Sequence, residues 1–443
     1  MSASKKFTLG FFIPVFLVAS AATLFSNSHH QNNTLINAVR SLDDSVEVEA
    51  FYARNHQKLF WYTPDGESIQ LRQALKQALD SSLQFGLKKE DYHYDSVSLL
   101  CEPDNGGYNN SNLIKADRIL TDAAIKFCTD LYKGANIGQW IISDEISSKF
   151  RTKDMDFILS GLLQSKNAKK FKEFINSLQP NEGDYHVLQT TIIDSMAAMD
   201  SSEIRKLTIS LNLMRWINHF RLDRYVMVNI GSATLKYFEH DSLKLEMKVV
   251  VGKPSTRTPR FAAYCNEIIL YPYWNVPTKI VLNELLPIFK ALPHTIDSMN
   301  MQIIDHHGRI VDPDTLNWHL YSKTFFPYQV RQSTGCDNAL GVIKFNLTSP
   351  FDVYMHDTNL KSAFKFERRY FSHGCIRLEK PMELANYLLK NQLDSNFLQS
   401  CLKDQSPVPI KIEKQVPVFV TYQTAEAIEG KAKFYKDVYK LLQ

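Results

Sequence analysis

The sequence predicts an α+β chain: an α-helical region, residues 31–205, a linking helix at 206–223, and a mainly β region, 224–443, carrying a capping insertion at 278–341. Three observations predict this class. Apolar residues recur at helical spacing through the first half, the hydrophobic period shortens to two at Arg224, and no period is sustained between Thr278 and Gly341.

Taken in order, the chain begins with Lys5 and Lys6 ahead of the apolar run "FTLGFFIPVFLVASAATLF". A charge followed by a hydrophobic stretch is the order of an export signal. Ala19-Ser20-Ala21 has the small residues of a cleavage site, while Phe7 to Phe25 is long enough to span a thin bilayer. Residues 1–26 are thus a signal peptide or a retained anchor, and membrane contact is expected only through them. Next, "SIQLRQALKQALDSSLQFG" places Leu71, Leu75, Ala78, Leu79 and Ser82 on one face, with Gly86 as the stop. Thr121 is expected to cap "DAAIKFCTDLYKG", with Ala124, Cys128 and Leu131 turned inward and Gly134 ending the helix. Further helical patterns follow to "SSEIRKLTISLNLMRWINHF". This half gathers no catalytic residue types and reads as scaffold.

From Arg224 the pattern alternates, with Leu243, Leu245, Met247, Val249 and Val251 on one side and Lys244, Glu246 and Lys248 on the other. Strands are expected at "NEIILYPYWNVP", "GVIKFNL", "DVYMHD" and "VPVFVTYQTA", and a helix begins at Pro381. The aperiodic segment 278–341 holds Trp318, Phe325, Phe326 and Tyr328, more aromatic surface than a connector needs, and is expected to fold over the sheet. His306 and His307 in "DHHGR" read as a solvated turn.

A net charge of +4 from 51 basic and 47 acidic residues, without a like-charge block, gives no reason to expect a nucleic-acid partner. The six cysteines are widely spaced, and a chain of 443 residues does not need disulfides to build a core. Cys375 differs from the rest in its setting, "YMHDTNLKSAFKFERRYFSHGCIRLEKP". Strand alternation puts Tyr354 and His356 on one face. Fifteen residues separate His356 from Ser372, and Ser372-His373-Gly374-Cys375 then delivers a thiol. A nucleophilic cysteine needs a base or cation to raise its thiolate fraction, and a strand-held His356 is the better base. The amides of Gly374 and Cys375 are placed to face an oxyanion, and Arg369 and Arg377 to hold a substrate carboxylate. The competing readings are a buried or disulfide-bonded Cys375, and a zinc site of His356, His373 and Cys375 that lacks a fourth local ligand. Tyr354 and Trp274 are by default aromatic packing. The residues alone reach an exported cysteine enzyme acting on an acyl group.

His356, fifteen residues, and then "SHGCIRL" resembles the active-site signature of the bacterial L,D-transpeptidases, whose catalytic domain has the YkuD-like fold. "RYVMVNI", "KVVVGKPSTRTP", "YPYWNVP", "NALGVIKF", "VYMHDT" and "VPVFVTYQTA" extend the likeness across residues 224–443 toward the long periplasmic members, and upstream segments are similar to their helical scaffold domain. The resemblance implies Cys375 as nucleophile, His356 as general base, and His373 and Gly374 in orienting and stabilising the oxyanion. Tyr354, Trp274, Arg377, Ser372 and Arg369 become substrate-pocket residues, and 278–341 a capping subdomain. It implies peptidoglycan tetrapeptide stems as donor and acceptor, carbapenem-type β-lactams as inhibitors, a periplasmic location, and neither metal nor organic cofactor. One departure is that no peptidoglycan-binding module interrupts the run from "LQPNEGDYHV" into the linking helix.

Overall fold

The computed structural model describes residues 45–63, 67–102, 110–135, 141–142, 151–391, 393–402 and 405–442. The segment read as export signal or anchor lies outside them. Among the described residues, no helix is long and apolar enough to cross a membrane. The chain divides into two compact units, residues 1–132 with 153–179, and 133–152 with 180–443.

The first unit is helical: Val46–Arg54, Ser68–Asp80, Tyr94–Leu100, Asn110–Lys133, Arg151–Gln164 and Ala168–Ser177. Leu71, Leu75 and Leu79 are buried as their spacing requires, and Gly86 ends the following turn at φ 63°, where a side chain would be strained. Thr121 does not cap a helix. It lies inside Asn110–Lys133, where its Oγ1 donates to the Asp117 carbonyl at 2.9 Å and accepts from the Trp61 indole N–H at 3.0 Å. The buried Asp117 carboxylate accepts the N–H groups of Phe60 and Trp61, so this helix anchors "KLFWY" through its polar residues. Cys128 is fully buried, and desolvation pushes its thiol up to about 12.

The main part of the second unit, from Pro180 on, starts ahead of the change of period at Arg224. Helices Gly183–Ser195 and Ser201–Asn218 belong to it because their apolar faces pack with Ala425 and Ala427, and Ser210 Oγ donates to the Ala425 carbonyl at 2.7 Å. Helical periodicity says that a face is buried, but not against which domain.

The main sheet runs β5 (Phe261–Leu270), β10 (Ile343–Leu347), β11 (Met355–His356), β13 (Ile376–Leu378), β4 (Ser242–Gly252), β3 (Thr234–Glu239), β2 (Arg224–Asn229) and β14 (Val408–Thr421). β14 also pairs with β5, so the path closes on itself. β12 (Tyr370–Ser372) pairs with β4, and β1 (Ile141–Ile142) with β5. Val226, Val228, Leu235, Val249, Val251, Phe345, Met355 and Ile376 share the enclosed core. The alternation on β4 buries Leu245, Met247, Val249 and Val251 but leaves Leu243 exposed beside the β3–β4 turn. β15 (Ala425–Ile428) and β16 (Lys431–Phe434) form a separate hairpin.

The insertion has a sheet of its own, ordered β6 (Trp274–Asn275), β9 (Gln329–Gln332), β7 (Met301–Ile304) and β8 (Ile310–Val311). Val276, Leu285, Phe289, Ile303, Trp318, Tyr321 and Val330 fill its core. Asp305 closes the exposed β7–β8 turn by accepting from the N–H groups of His307 and Arg309. At the exit, Cys336 is disulfide-bonded to Cys401.

Candidate active site

Cys375 sits between β12 and β13 in a loop tied by its own side chains. Ser372 Oγ donates to the Cys375 carbonyl at 2.6 Å and accepts the Gly374 N–H at 3.1 Å. Gly374 is at φ 126°, a conformation that favours glycine. The segment after β4 fastens the loop from outside: Thr258 Oγ1 donates to the Gly374 carbonyl at 2.7 Å, and Thr256 Oγ1 and the Lys253 N–H donate to the Ser372 carbonyl, each at 3.1 Å. Sequence reasoning missed Thr256 and Thr258 because nothing local links them to a loop 116 residues away. The Gly374 amide, expected to face an oxyanion, is instead held by Ser372. Ser372 accordingly shapes the Cys375 loop.

Behind the thiol, His356 on β11 is buried, and its Nδ1–H donates to the Asp357 carbonyl at 2.5 Å. A carbonyl can only accept, so the tautomer is set and Nε2 keeps its lone pair. Burial, then Arg377 and Lys344, depress the imidazole to about 3, so it is neutral and able to take a proton. Cys375 Sγ donates to the Asp352 carbonyl at 3.8 Å; burial pushes the thiol up, and Tyr354, then Lys344 and Arg377, draw it down. Tyr354 itself is pushed well above the ordinary phenol range, chiefly by burial, and so remains a proton-bearing donor. Trp274, just ahead of the cap, lines the cavity beside Tyr354. The Tyr354 and His356 ring centroids are 5.6 Å apart.

The two arginines separate. Arg369 does not reach the site: it is 6% exposed, and its guanidinium donates to the carbonyls of Val249, Phe366, Glu367, Ser232 and Ala233 at 3.0–3.2 Å. All five N–H groups are used on backbone, which corrects its expected role in carboxylate binding. Arg377 does line the site. Among the described residues it makes no ion pair, and burial lowers its affinity for the proton.

His373 turns toward the cap, its Nε2 lying 2.8 Å from Glu284 Oε1 in the π-helical turn Val281–Leu285. Trp274, Glu284, Phe326 and Tyr328 of the cap face Cys375, His356, Tyr354 and Arg377 across a cavity of about 670 Å³. Trp318 instead belongs to the cap's own core, and Phe325 is exposed. Among the described residues, no three His, Cys, Asp or Glu side chains gather as metal ligands. The arrangement is that of a shielded thiol with a neutral imidazole and an unneutralised cation.

This geometry coincides with a family match. Residues 223–410 match the L,D-transpeptidase catalytic domain of the YkuD type, and residues 46–192 match the Scaffold domain. The chain carries an L,D-transpeptidase catalytic domain with a Scaffold domain N-terminal to it. A Haemophilus influenzae protein named "Putative L,D-transpeptidase" is 34% identical over 275 residues, covering 60% of this chain and 54% of that one, so the chain spans about half the length of this relative. An L,D-transpeptidase from Mycobacterium smegmatis is 14% identical, covering 45% of this chain and 58% of its own, with a TM-score of 0.22. An L,D-transpeptidase in complex with imipenem is 15% identical, covering 45% and 59%, also at 0.22. Likenesses that slight assign no role to any residue of this chain.

Proposed function

We propose that the protein is a peptidoglycan L,D-transpeptidase with Cys375 as its nucleophile. The observation that carries this reading is the convergence of Cys375, neutral His356, Tyr354 and Arg377 on one cavity beneath an aromatic cap, within a matched catalytic domain. His356 Nε2 takes the thiol proton, and the thiolate attacks the carbonyl joining the third, diamino residue of a tetrapeptide stem to its terminal D-Ala. A carbon–sulfur bond forms, the carbon–nitrogen bond breaks, and D-Ala leaves with the proton returned by the imidazolium. The side-chain amine of a second stem then attacks the thioester, giving a 3→3 cross-link and restoring the thiol. Arg377 receives the donor's D-Ala carboxylate, and Tyr354 with the Cys375 amide stabilises the oxyanion. The scheme uses no cofactor. A β-lactam carbonyl, which presents a strained acyl group, would be captured by the same thiol.

We place the protein in the bacterial periplasm, delivered by the N-terminal segment. The Cys336–Cys401 disulfide supports an oxidising compartment. The test is mass spectrometry of muropeptides after incubating defined tetrapeptide stems with the native protein and with Cys375→Ala. Native protein should release D-Ala and form dimers, and Cys375→Ala should do neither, nor be acylated by a carbapenem. Tripeptide without dimer would identify an L,D-carboxypeptidase, in which water resolves the thioester. No turnover by the native protein would favour a non-catalytic wall-binding scaffold, and turnover by Cys375→Ala would overturn the assignment.

A further inference from the structure

β10 runs through the core of its sheet, yet places a lysine in the middle of "VIKFN". Ile343 and Phe345 turn inward, where they are fully buried, and Lys344 points to the opposite face. The register then decides its neighbours. Lys344 pairs with His356 of β11, and His356 pairs with Arg377 of β13, so one row across three strands reads lysine, histidine, arginine. Strands in a ladder lie about 4.8 Å apart, so the imidazole has a cation on each side. Lys344 Nζ lies 4.3 Å from the centroid of the Tyr354 ring, and Tyr354 lines the same cavity as Cys375.

The ammonium is half-buried. Among the described residues it makes no ion pair. The acid it feels besides Cys375 is Glu267, whose Oε2 already accepts from Asn346 Nδ2 at 2.7 Å. Lys344 is also absent from the cavity wall, so it does not meet substrate there. A cation withdrawn behind the site acts on the groups in front of it.

We propose that Lys344 is a positioning residue for the Cys375–His356 pair: its ammonium holds the Tyr354 ring and supplies positive potential that favours thiolate at Cys375 while keeping His356 neutral. This deepens the transpeptidase reading and rests on Cys375 being the nucleophile. The division of labour follows from placement. Arg377 lines the cavity and is engaged when a carboxylate arrives, whereas Lys344 stays in place throughout the cycle and conditions the thiol before substrate binds.

The experiment is the pH dependence of Cys375 alkylation by iodoacetamide, followed by intact mass, in the native chain, Lys344→Met, Lys344→Gln and Lys344→Arg, with Cys375→Ala identifying the modified site. Cys101, Cys128 and Cys265 are buried and should react slowly. The other charged or titratable groups facing the thiol are Asp352 and Tyr354 before β11, His356 on β11, Arg377 on β13, His373 in the loop and Glu284 in the cap, and none changes among these variants. The two neutral variants should be alkylated about three- to tenfold more slowly at pH 7, with the profile moved to higher pH, because the reactive species is the thiolate. Lys344→Arg should restore most of the native rate. Native-like profiles in whichever neutral variant folds, or an Arg variant as slow as the neutral ones, would overturn the proposal in favour of simple packing by the lysine stem. Alkylation needs no peptidoglycan, so the two readings fail separately. A shifted profile without cross-linking activity leaves Lys344 in its role and removes the transpeptidase, and cross-linking with an unshifted profile does the reverse.

Discussion

Arg369 and Arg377 stand eight residues apart in sequence, and the structure assigns them opposite consequences when each is replaced by alanine. Arg369→Ala removes five donors at once. Three of the carbonyls they serve, those of Ser232, Ala233 and Val249, come from the β2–β3 turn, its edge and β4, and the other two from Phe366 and Glu367, so the guanidinium ties the approach to the nucleophile loop onto the sheet. Breaking a buried charged network costs about 3–5 kcal/mol. At roughly 2–4 °C per kcal/mol for a domain of this size, the melting temperature should fall by about 6–20 °C. Lysine, a point charge with three donors, should recover only part of that loss. Arg377→Ala leaves no comparable set of carbonyls unpaired, so the melt should stay near native while KM for the tetrapeptide donor rises about tenfold or more, the worth of one charged hydrogen bond. Differential scanning calorimetry and donor-stem kinetics on the same preparations provide both readings. An Arg369→Ala protein that melts with the native chain yet has a raised KM would refute the assignment and return Arg369 to the substrate.

Two further outcomes follow from the site. His356 is depressed to about 3 in the folded chain against an unfolded value near 6.5, so the unfolded state binds the extra proton between those limits. Its stabilising contribution is complete above pH 6.5 and declines as pH falls toward 3, reaching a loss of up to about 3 kcal/mol at pH 4.5. Thermal melts at pH 7 and 4.5 should therefore diverge more for the native chain than for His356→Gln, and parallel slopes would contradict this. Glu284→Gln removes the carboxylate 2.8 Å from His373 Nε2; the two side chains are 36% (His373) and 50% (Glu284) exposed, so it should cost no more than about 1 kcal/mol, or about fivefold in how firmly the cap is held on the Cys375 loop. The ratio of hydrolysed tripeptide to cross-linked dimer should rise by up to that factor, and an unchanged ratio would mean the pair does not latch the cap.

What the sequence disclosed was local. The His356 to Cys375 spacing, the alternation on β4 and the stripe Leu71, Leu75, Leu79 lie within single elements, where a period of two or 3.6 is visible. What it hid depends on register or on distant partners. Arg369 looked like a site residue because it precedes the motif, and only the folded chain brings Ser232, Ala233 and Val249 to it. Lys344 lies within the expected strand "GVIKFNL", and only the pairing with β11 sets it beside His356. Thr121 was placed at a helix start because it can cap, whereas the helix extends back to Asn110 and uses it for an interior hydrogen bond. The cap's strands are two to four residues long, too short to show a period, so the sequence shows a capping segment but not its own sheet.

That last difference changes how the cap must be understood. A loop could close over Cys375 by rearranging its backbone, but a segment with its own sheet and buried Phe289, Trp318 and Val330 keeps its shape while its attachments decide what it does. Its exit is pinned: Asn338 Nδ2 donates to the carbonyls of Pro272 at 3.2 Å and Ser333 at 2.8 Å, and Cys336 is bonded to Cys401. At the catalytic loop, by contrast, the polar contact is the partly exposed Glu284–His373 pair. On the proposed mechanism, a thioester that must meet an amine before water would need the aromatic wall of Trp274, Phe326 and Tyr328 in place, yet the second stem would have to enter past that wall. A firm base and a weak latch satisfy both demands. Cutting out 278–341 would destroy a hydrophobic core and report on folding, whereas a single change at Glu284 leaves the base intact and reports on the competition between amine and water.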